Sequence, residues 1–294
     1  MRFVLTADWH LREDRPRCRK DDDWIGTQKK ALKGILDICL RKRCDLFVVG
    51  DMFHRPGEFR MVKLVQDLAS ELGSNDLSLN YLCGNHDMLY HSSLNLDKSA
   101  IGLLEESNNC FFIKDNARCE DVRISAPDFD KDVDKDASIV FMHVLCFPSM
   151  KDMPPNVNAV CAKDLLEEYP NAEWIFTGDY HKNFHYKWKE RHVVNSGCLL
   201  RQASDFKDYQ CGVYYIDTDK EIVEFIRIID DEELVDDSYI MEEKERDERI
   251  GKFVDKLSNT RGITLDFIDN VEKALMSSNV DESVKNMVKE LIGA

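Results

Sequence analysis

The sequence predicts an α/β protein built on parallel strands, and three observations support this prediction. Residues 45–49 are continuously apolar after Asp45, which is typical of a strand buried on both faces of a parallel sheet. Amphipathic helical patterns over 24–40 and 61–72 separate this run from one apolar strand before it and another after it. Strand, helix, strand, helix, strand at this spacing indicates successive right-handed βαβ units.

The individual elements follow in order along the chain. We expect a strand over 2–6, the helix over 24–40, the strand over 45–49, and a helix over 61–72 that Gly73 ends. Residues 76–83 alternate polar and apolar side chains, which predicts a half-buried strand. Gly84 is then expected to turn the backbone sharply through a positive φ. Further expectations are helices over 93–106 and 163–168, strands over 110–113, 118–124, 137–141 and 174–177, and hairpins over 184–194 and 212–228.

Size and composition indicate a globular protein with a core of its own. The chain has 294 residues, of which 43% are hydrophobic and 33% charged. No apolar run approaches the roughly 18 residues that a bilayer requires, so no membrane partner is expected. A strand-like N-terminus leaves no room for a signal peptide, and ten scattered cysteines without a Cys-x-x-Cys pair suit reduced thiols. These features together predict a cytoplasmic protein.

Charge is distributed unevenly and suggests two regions. The net charge is −16, and residues 201–294 hold 24 acidic but only 13 basic side chains. Acidity argues against a nucleic-acid partner, although a metal-dependent site supplies positive charge of its own. The composition changes at residue 230, which predicts a domain over 1–229 and an acidic linker with a helical region over 230–294. The apolar stripe over 284–292 packs either on its own domain or on a partner.

Polar, metal-capable residues follow five of the predicted strands. They are Asp8 with His10, Asp51, Asn85 with His86, His143, and Asp179 with His181. Open α/β sheets place their chemistry past the carboxyl ends of the strands, so these side chains are expected to converge. Carboxylate, imidazole and amide oxygen suit Mn²⁺, Fe²⁺, Zn²⁺ or Mg²⁺, and the lack of thiolates argues against structural zinc. A metal pair needs a bridging carboxylate, for which Asp51 is the best candidate, and His86 is suited to protonate a leaving oxygen.

This ordered set resembles the calcineurin-like metallophosphoesterase family over about the first 200 residues. Within it, the segment Gly50-Asp-Met-Phe-His-Arg-Pro56 resembles the SbcD-type, or Mre-eleven type, nuclease subunit. The resemblance implies a four-layer αββα sandwich, here with a small C-terminal helical appendage. It also implies one metal bound by Asp8, His10, Asp51 and His181, and a second bound by Asp51, Asn85, His143 and Asp179. His86 would be the catalytic acid, His54 would place the scissile phosphate, and Asp87 would orient His86 or its loop.

One motif departs from the family pattern. The family usually has Gly-His-x-His where this chain has Gly178-Asp179-Tyr180-His181. A carboxylate at position 179 favours harder cations, so two Mn²⁺ ions are expected, with Mg²⁺ as the alternative.

The resemblance further implies a two-metal DNA nuclease for repair and recombination, with 3′-to-5′ exonuclease and single-strand endonuclease activity. Its expected partners are DNA and an SbcC-like coiled-coil ATPase, with a homodimer as a further arrangement. Too few residues follow the last strand pair for a full DNA-capping domain. This indicates a compact version, such as a viral one acting in the host cytoplasm, whose C-terminal region is the candidate partner-binding element. Candidate DNA contacts are Arg12, Arg15, Arg17 and Arg55.

The same sequence features allow alternative interpretations. The basic loop could be a solvated loop neutralised by Asp21, Asp22 and Asp23, and His54 could be a surface histidine. The net charge and the missing cap favour a phosphoesterase for a small phosphoester or a phosphoprotein. A third alternative is a weakly catalytic scaffold that binds partners through its acidic tail.

Overall fold

The computed structural model describes residues 1–113, 117–119, 122–126, 133–203 and 209–236, with residues 238, 275, 276, 282, 285 and 286. By its internal contacts the chain divides into two compact units, Met1–Asp236 and Asp237–Ala294. The apolar stripe and most of the predicted C-terminal region lie outside the described residues, so the helical appendage and the division at residue 230 stay predictions. Within the described part, no helix is both long and apolar enough to span a bilayer.

The first unit contains fourteen strands and three α-helices among its described residues. The strands are β1 Arg2–Thr6, β2 Asp45–Val49, β3 Leu79–Leu82, β4 Cys110–Phe112, β5 Ala117–Cys119, β6 Val122–Ser125, β7 Ile139–His143, β8 Cys146–Phe147, β9 Val160–Cys161, β10 Trp174–Gly178, β11 Phe184–Trp188, β12 Arg191–Asn195, β13 Gly212–Asp217 and β14 Ile222–Arg227. The helices are α1 Trp24–Lys42, α2 Val62–Gly73 and α3 Ala162–Glu168. Short 3₁₀ segments occupy Phe59–Met61, Leu89–His91, Ser93–Lys98, Ile101–Leu104 and Glu232–Leu234.

Two six-stranded sheets form the centre of this unit. The first has the order β14-β13-β1-β2-β3-β4, and its strands β1 to β4 are parallel. The second has the order β11-β12-β10-β7-β6-β5, and its strands β12, β10, β7 and β6 are parallel. Strands β8 and β9 form a separate parallel pair. The predicted α/β class with parallel sheets is confirmed.

Apolar side chains on both faces of the strands build four layers. In β1, Phe3 and Leu5 pack between the two sheets, whereas Val4 packs on the opposite side with the residues of α1 and α2. In β10, Phe176 faces the first sheet and Ile175 packs with the residues of α3. Because both faces are covered by apolar layers, these strands read as continuous apolar runs. These layers form the helix–sheet–sheet–helix sandwich that was predicted.

Three local expectations were wrong. The predicted helix over 93–106 is two 3₁₀ segments, because Asn95 (φ −117°, ψ 19°) is not helical and Ser99 (φ −114°, ψ 162°) is extended. The strand expected over 76–83 begins only at Leu79, since Asp76 lies in a left-handed turn with φ 58°. Gly84 does not have a positive φ. It is required because a Cβ there would lie 2.1 Å from Asp51 Oδ1 and 2.5 Å from the Asp51 backbone nitrogen.

The cysteines agree with the expectation of reduced thiols. Nine have side chains that the structure describes, and all nine are buried without forming a disulfide. Burial raises the pKa of Cys110 to about 11, as expected for thiols that pack as small apolar groups.

A buried ion cluster ties the loop after β1 to the segment after β14. The side chains of Arg19, Arg201 and Asp231 are fully buried. One oxygen of Asp231 accepts a hydrogen bond from Arg19 and the other from Arg201. Arg19 is also paired with Asp21, 2.7 Å from its Nε. Arg19 is therefore a structural residue of the basic loop and is not available to bind a substrate.

Replacing Asp231 with alanine should lower the free energy of unfolding by about 3 kcal/mol, because it removes the carboxylate that two buried guanidinium groups share. Urea denaturation of the full chain measures this change. Asp230→Ala is the matched control, since the Asp230 side chain is 74% exposed and pairs with Arg227 at the surface. Equal effects of the two substitutions would contradict the structural importance of the cluster.

His192 of β12 should contribute to the pH dependence of the free energy of unfolding. This side chain is buried and stacks on Trp174 with ring centroids 3.9 Å apart, and it is hydrogen-bonded to His185 at 2.9 Å. Burial, and then the neighbouring His185, lower the pKa of His192 to about 4. The unfolded chain therefore binds one more proton than the folded chain between about pH 6.5 and 4, and stability falls as the pH falls through this window. Unfolding free energies measured from pH 7.5 to 4 should decline less steeply for His192→Gln than for the wild type.

Candidate metal centre

The two sheets bring together all five polar strand ends that the sequence singled out. Asp8, Asp51 and Asn85 follow β1, β2 and β3 of the first sheet, while His143 ends β7 and Asp179 follows β10 of the second. His143 Nε2 lies 3.3 Å from Asp51 Oδ2, an atom pair that joins the two sheets. The convergence arises because both sets of parallel strands end at the same side of the sandwich.

Three groups of ligand-type atoms form among the described residues: one is His10, His54 and His86, and the two others, called the ligand groups below, contain carboxylates. Asp8, His10 and His181 form the first, and Asp8, Asp51 and His143 form the second, with the atoms of each group within 4.8 Å of one another. The ring nitrogens His10 Nε2 and His181 Nε2 are 3.1 Å apart. Asp8 belongs to both groups. Asp51 Oδ2, of the second group, lies 3.3 Å from His143 Nε2 and also 3.7 Å from His10 Nε2 of the first. This is the central place expected of a bridging carboxylate.

The remaining predicted ligands border the second group. Asp179 Oδ1 lies 3.9 Å from His143 Nε2, and its backbone N–H donates to both oxygens of Asp8 at 3.1 Å. Its side chain is 29% exposed, in contrast to the fully buried Asp8. Asn85 Oδ1 is buried. Six of the seven predicted ligands thus lie within 4.0 Å of another ligand, and Asn85 precedes His86, whose backbone N–H donates to Asp51 Oδ1 at 2.9 Å. Their binding of metal stays a prediction.

Crowded carboxylates and imidazoles shift the pKa values within the cluster. Burial raises the pKa of Asp8 well above its usual range, and the neighbouring Asp51 adds to this effect. Burial acts in the same direction on Asp51, but the imidazoles of His143 and His10 outweigh it and lower the pKa of Asp51. For His143, the carboxylates of Asp51, Asp8 and Asp179 overcome burial and raise its pKa to about 10. Three carboxylates in so small a volume are costly without cations nearby.

The donor set fits divalent cations. Asp51 Oδ2 and Asn85 Oδ1 are buried and accept no hydrogen bond from the described residues, so their lone pairs are available to a cation. The Nδ1 atom of His143 donates to the carbonyl of Val49 at 2.9 Å, which presents Nε2 to the cluster. Carboxylate, imidazole and amide oxygens suit the ions that the sequence predicts.

Four residues of the centre have left-handed backbone conformations. The φ angles are 50° at Asp8, 44° at His10, 50° at Asp51 and 79° at Asp179. Such angles are uncommon for residues other than glycine and cost on the order of 1 kcal/mol or more each. Backbone hydrogen bonds between the loops after β1 and β2 hold the first three, among them Asp8 N to Gly50 O at 3.1 Å and His10 N to Asp51 O at 3.0 Å.

His54 and His86 lie beside the first group of ligands. The ring centroid of His86 is 4.8 Å from that of His10, and that of His54 is 5.7 Å from both. His86 Nδ1 donates to the carbonyl oxygen of His54 at 2.9 Å, which fixes the ring. His54 is not a free surface histidine. Burial, and then the positive charge of Arg12, lower its pKa to about 4.

Asp87 supports the loops and does not contact the His86 ring. Its carboxylate is fully buried and accepts the backbone N–H groups of Phe53 at 2.8 Å, Gly84 at 3.0 Å and Met52 at 3.2 Å. Burial and the nearby Asp51 raise the pKa of Asp87 to about 7. Of the two roles that the resemblance implied, the geometry therefore supports orientation of the loop.

A cleft opens beside the ligands, with a volume of about 150 Å³. Its lining comprises His10, Arg12, His54, His86, His181, Cys198, Leu200, Gln202 and Ala203. Of the four arginines predicted to contact DNA, only Arg12 lines it. Arg55 lies next to Arg12 through a shared partner, Asp14. Arg15 donates to the carbonyl of Asp21 at 2.6 Å, and Arg17 is exposed outside this lining.

Sequence reasoning missed Gln28, Glu58 and Gln202. Gln28 is a polar residue on the buried stripe of α1, and this interruption was a usable signal. Glu58 and Gln202 lie in loops, where no periodicity marks a buried polar side chain. Gln202 donates to the backbone carbonyls of Trp9 at 2.9 Å and His10 at 3.1 Å, and so supports the ligand loop.

Several solved structures have a similar fold at low sequence identity. No curated protein matches the chain in sequence. Solved structures of similar fold include an archaeal phosphodiesterase (13% identity, 77% of this chain, 99% of that chain, TM-score 0.42). Another is a dimetal phosphatase from Danio rerio (10% identity, 73% of this chain, 91% of that chain, TM-score 0.46). A third is a putative 5′-nucleotidase from Staphylococcus aureus (14% identity, 81% of this chain, 56% of that chain, TM-score 0.47). With TM-scores below 0.5, these likenesses carry no weight of their own.

The sequence profile described as calcineurin-like phosphoesterase matches residues 1–195, about two thirds of the chain and the whole of the metal centre. Enzymes of this family use two divalent metals, for which the two ligand groups provide the candidate donors. The chain belongs to the calcineurin-like phosphoesterase family and is a metal-dependent phosphoesterase.

Proposed function

We propose that this enzyme is an SbcD-type nuclease that hydrolyses phosphodiester bonds in DNA. The observation that carries the proposal is the cleft, which is lined by His10 and His181 of the first ligand group, by His54 and His86, and by Arg12. Such a combination suits a substrate with a scissile phosphate and further negative charge beside it. The resemblance of residues 50–56 to the SbcD-type nucleases supports the choice of DNA.

The roles of the residues follow from their positions. Asp8, His10, Asp51 and His181 would hold one cation, and Asp51, Asn85, His143 and Asp179 the other. When bound, such a pair supplies an activated water and neutralises charge at phosphorus. The carboxylate at position 179 favours Mn²⁺, with Mg²⁺ as the alternative.

His86 and His54 act on the substrate side of the centre. Because His86 Nδ1 donates to the His54 carbonyl, a proton to be delivered is carried on Nε2. From there it passes to the leaving oxygen, which would otherwise depart as an alkoxide. His54 is neutral at pH 7 and can donate one hydrogen bond to an oxygen of the scissile phosphate.

Cleavage assays with linear duplex and single-stranded DNA test the proposal, in Mn²⁺ and in Mg²⁺, next to hydrolysis of bis(p-nitrophenyl) phosphate. Degradation of DNA from its 3′ ends and nicking of single strands are expected. Turnover of the small ester without DNA cleavage under any condition would overturn the nuclease. The second candidate, an enzyme for a small phosphoester or a phosphoprotein, would then be favoured, as the net charge of −16 already suggests.

The proposed partner is an SbcC-like coiled-coil ATPase, bound through the region after residue 229, in repair or recombination of DNA in the cytoplasm. It rests on the resemblance alone. Co-purification of the full chain with such an ATPase, and its molar mass in solution, test the complex and a homodimer. DNA cleavage by the chain that no ATPase binds or stimulates would contradict the partnership. The scaffold alternative requires binding without intrinsic hydrolysis.

A further inference from the structure

The loops after β1 and β2 continue side by side beyond the metal ligands. Leu11 N donates to the carbonyl of Met52 at 2.9 Å, and His54 N donates to the carbonyl of Leu11 at 3.0 Å. The next residue of each loop is an arginine, Arg12 in one and Arg55 in the other. Backbone pairing thus places two guanidinium groups next to each other at the edge of the cleft.

Two buried polar side chains anchor these arginines. Gln28 is fully buried and forms reciprocal hydrogen bonds with Arg12, in which its Oε1 accepts from the backbone nitrogen and its Nε2 donates to the carbonyl, both at 2.9 Å. Glu58 is 7% exposed; it accepts from the backbone N–H of Glu13 at 3.2 Å and lies 3.4 Å from Arg55 Nε. Buried groups of this kind fix positions in the way that a binding site requires.

A single carboxylate lies between the two guanidinium groups. Asp14 accepts hydrogen bonds from Arg12 with one oxygen and from Arg55 with the other. Its side chain is 53% exposed, whereas that of Arg12 is only 14% exposed. Arg12 Nε is also buried and has no acceptor among the described residues. An exposed ion pair contributes little stability, so a stronger anion can displace the Asp14 carboxylate at low cost.

We infer that Arg12 and Arg55 form a second phosphate site, which binds the phosphate adjacent to the scissile one and which Asp14 occupies until that phosphate displaces it. This deepens the proposed function and rests on it. Arg12 lines the cleft together with His54 and His86, and successive phosphates of a strand lie only a few ångströms apart. Two guanidinium groups that share one anion match the geometry of a phosphate. A phosphate monoester or a small diester lacks this second charge, so the site selects polynucleotides.

The test uses short single-stranded oligonucleotides in which the linkage next to the terminal one, at the 5′ or the 3′ end, is a neutral methylphosphonate. The wild type should bind one of the two at least about tenfold more weakly than the unmodified strand. The Arg12→Ala/Arg55→Ala double variant should lose this discrimination, and its salt dependence of log K should be shallower by about 0.7. Arg60→Ala is the matched control. Arg60 is 83% exposed, pairs with Glu13 and does not line the cleft, so this variant should discriminate like the wild type.

The Asp14→Ala variant separates a phosphate site from a structural cluster. If Asp14 competes with the phosphate, its removal should tighten DNA binding severalfold; if it only holds the arginines in place, binding should weaken, which would overturn the inference. Binding that is insensitive to the neutral linkage in the wild type would overturn it as well. Fluorescence anisotropy reports binding without turnover. Discrimination without cleavage would therefore support the phosphate site while contradicting the nuclease, and cleavage without discrimination would do the reverse.

Discussion

Replacing His86 with alanine should lower kcat for phosphodiester hydrolysis about 10²- to 10⁴-fold while the two metal ions stay bound. The reason is that His86 lies next to the ligand groups without belonging to the predicted ligand set, and its role is proton donation. Its ring is fixed through Nδ1 by the carbonyl of His54. Metal analysis after desalting, together with steady-state kinetics, measures both effects.

Tyr90→Ala is the control for this experiment, because Tyr90 is an exposed aromatic residue in the same loop and does not line the cleft. It should retain the kcat of the wild type. A loss of metal in the His86 variant would show that His86 is a ligand and would contradict its assignment as the acid. An activated leaving group such as p-nitrophenolate needs less protonation, so the loss of rate should be smaller for the nitrophenyl ester than for DNA.

Asp51→Ala should reduce the metal content from two ions per chain to fewer than one and abolish hydrolysis. Asp51 Oδ2 lies within 3.7 Å of His10 Nε2 and within 3.3 Å of His143 Nε2, so its removal affects both ligand groups. The second oxygen, Oδ1, accepts the backbone N–H of His86 at 2.9 Å, so the position of the acid is lost as well. Inductively coupled plasma mass spectrometry measures the metal content.

The matched control for Asp51 lies at the other end of the same strand. Asp45 begins β2 and accepts the backbone N–H of Ser78 at 2.8 Å, so Asp45→Asn changes a carboxylate of β2 far from the cluster. This variant should keep both metals. If Asp51→Ala lost only one ion, the carboxylate would bind a single metal, and its assignment as the bridging ligand would be wrong.

The convergence of the strand ends was predictable because it depends on a general property of parallel sheets. Apolar runs such as β2 and β10 identified central strands, and the polar residues after them had to meet at one side. The resemblance added the second sheet and the four layers. The 3₁₀ segments over Ser93–Lys98 and Ile101–Leu104 were not predictable, since they depend on backbone angles that the apolar spacing does not encode.

Contacts between loops were also beyond sequence reasoning. The basic loop gave no indication that Arg19 is buried with Asp231, more than 200 positions away, while Arg12 faces the cleft. Likewise, the Gly84 turn was predicted for the wrong reason. Its small size matters because Asp51 packs against it, and a contact between separate loops cannot be inferred from the tetrapeptide alone.

The left-handed residues of the metal centre lower the stability of the fold but are required for catalysis. Asp8, His10, Asp51 and Asp179 all have φ angles that glycine adopts without strain. A laboratory selection that rewarded heat resistance alone would be expected to return glycine or asparagine at these positions, relieving both the strained backbone and the crowded carboxylates. The resulting proteins would outlast the natural one and catalyse nothing.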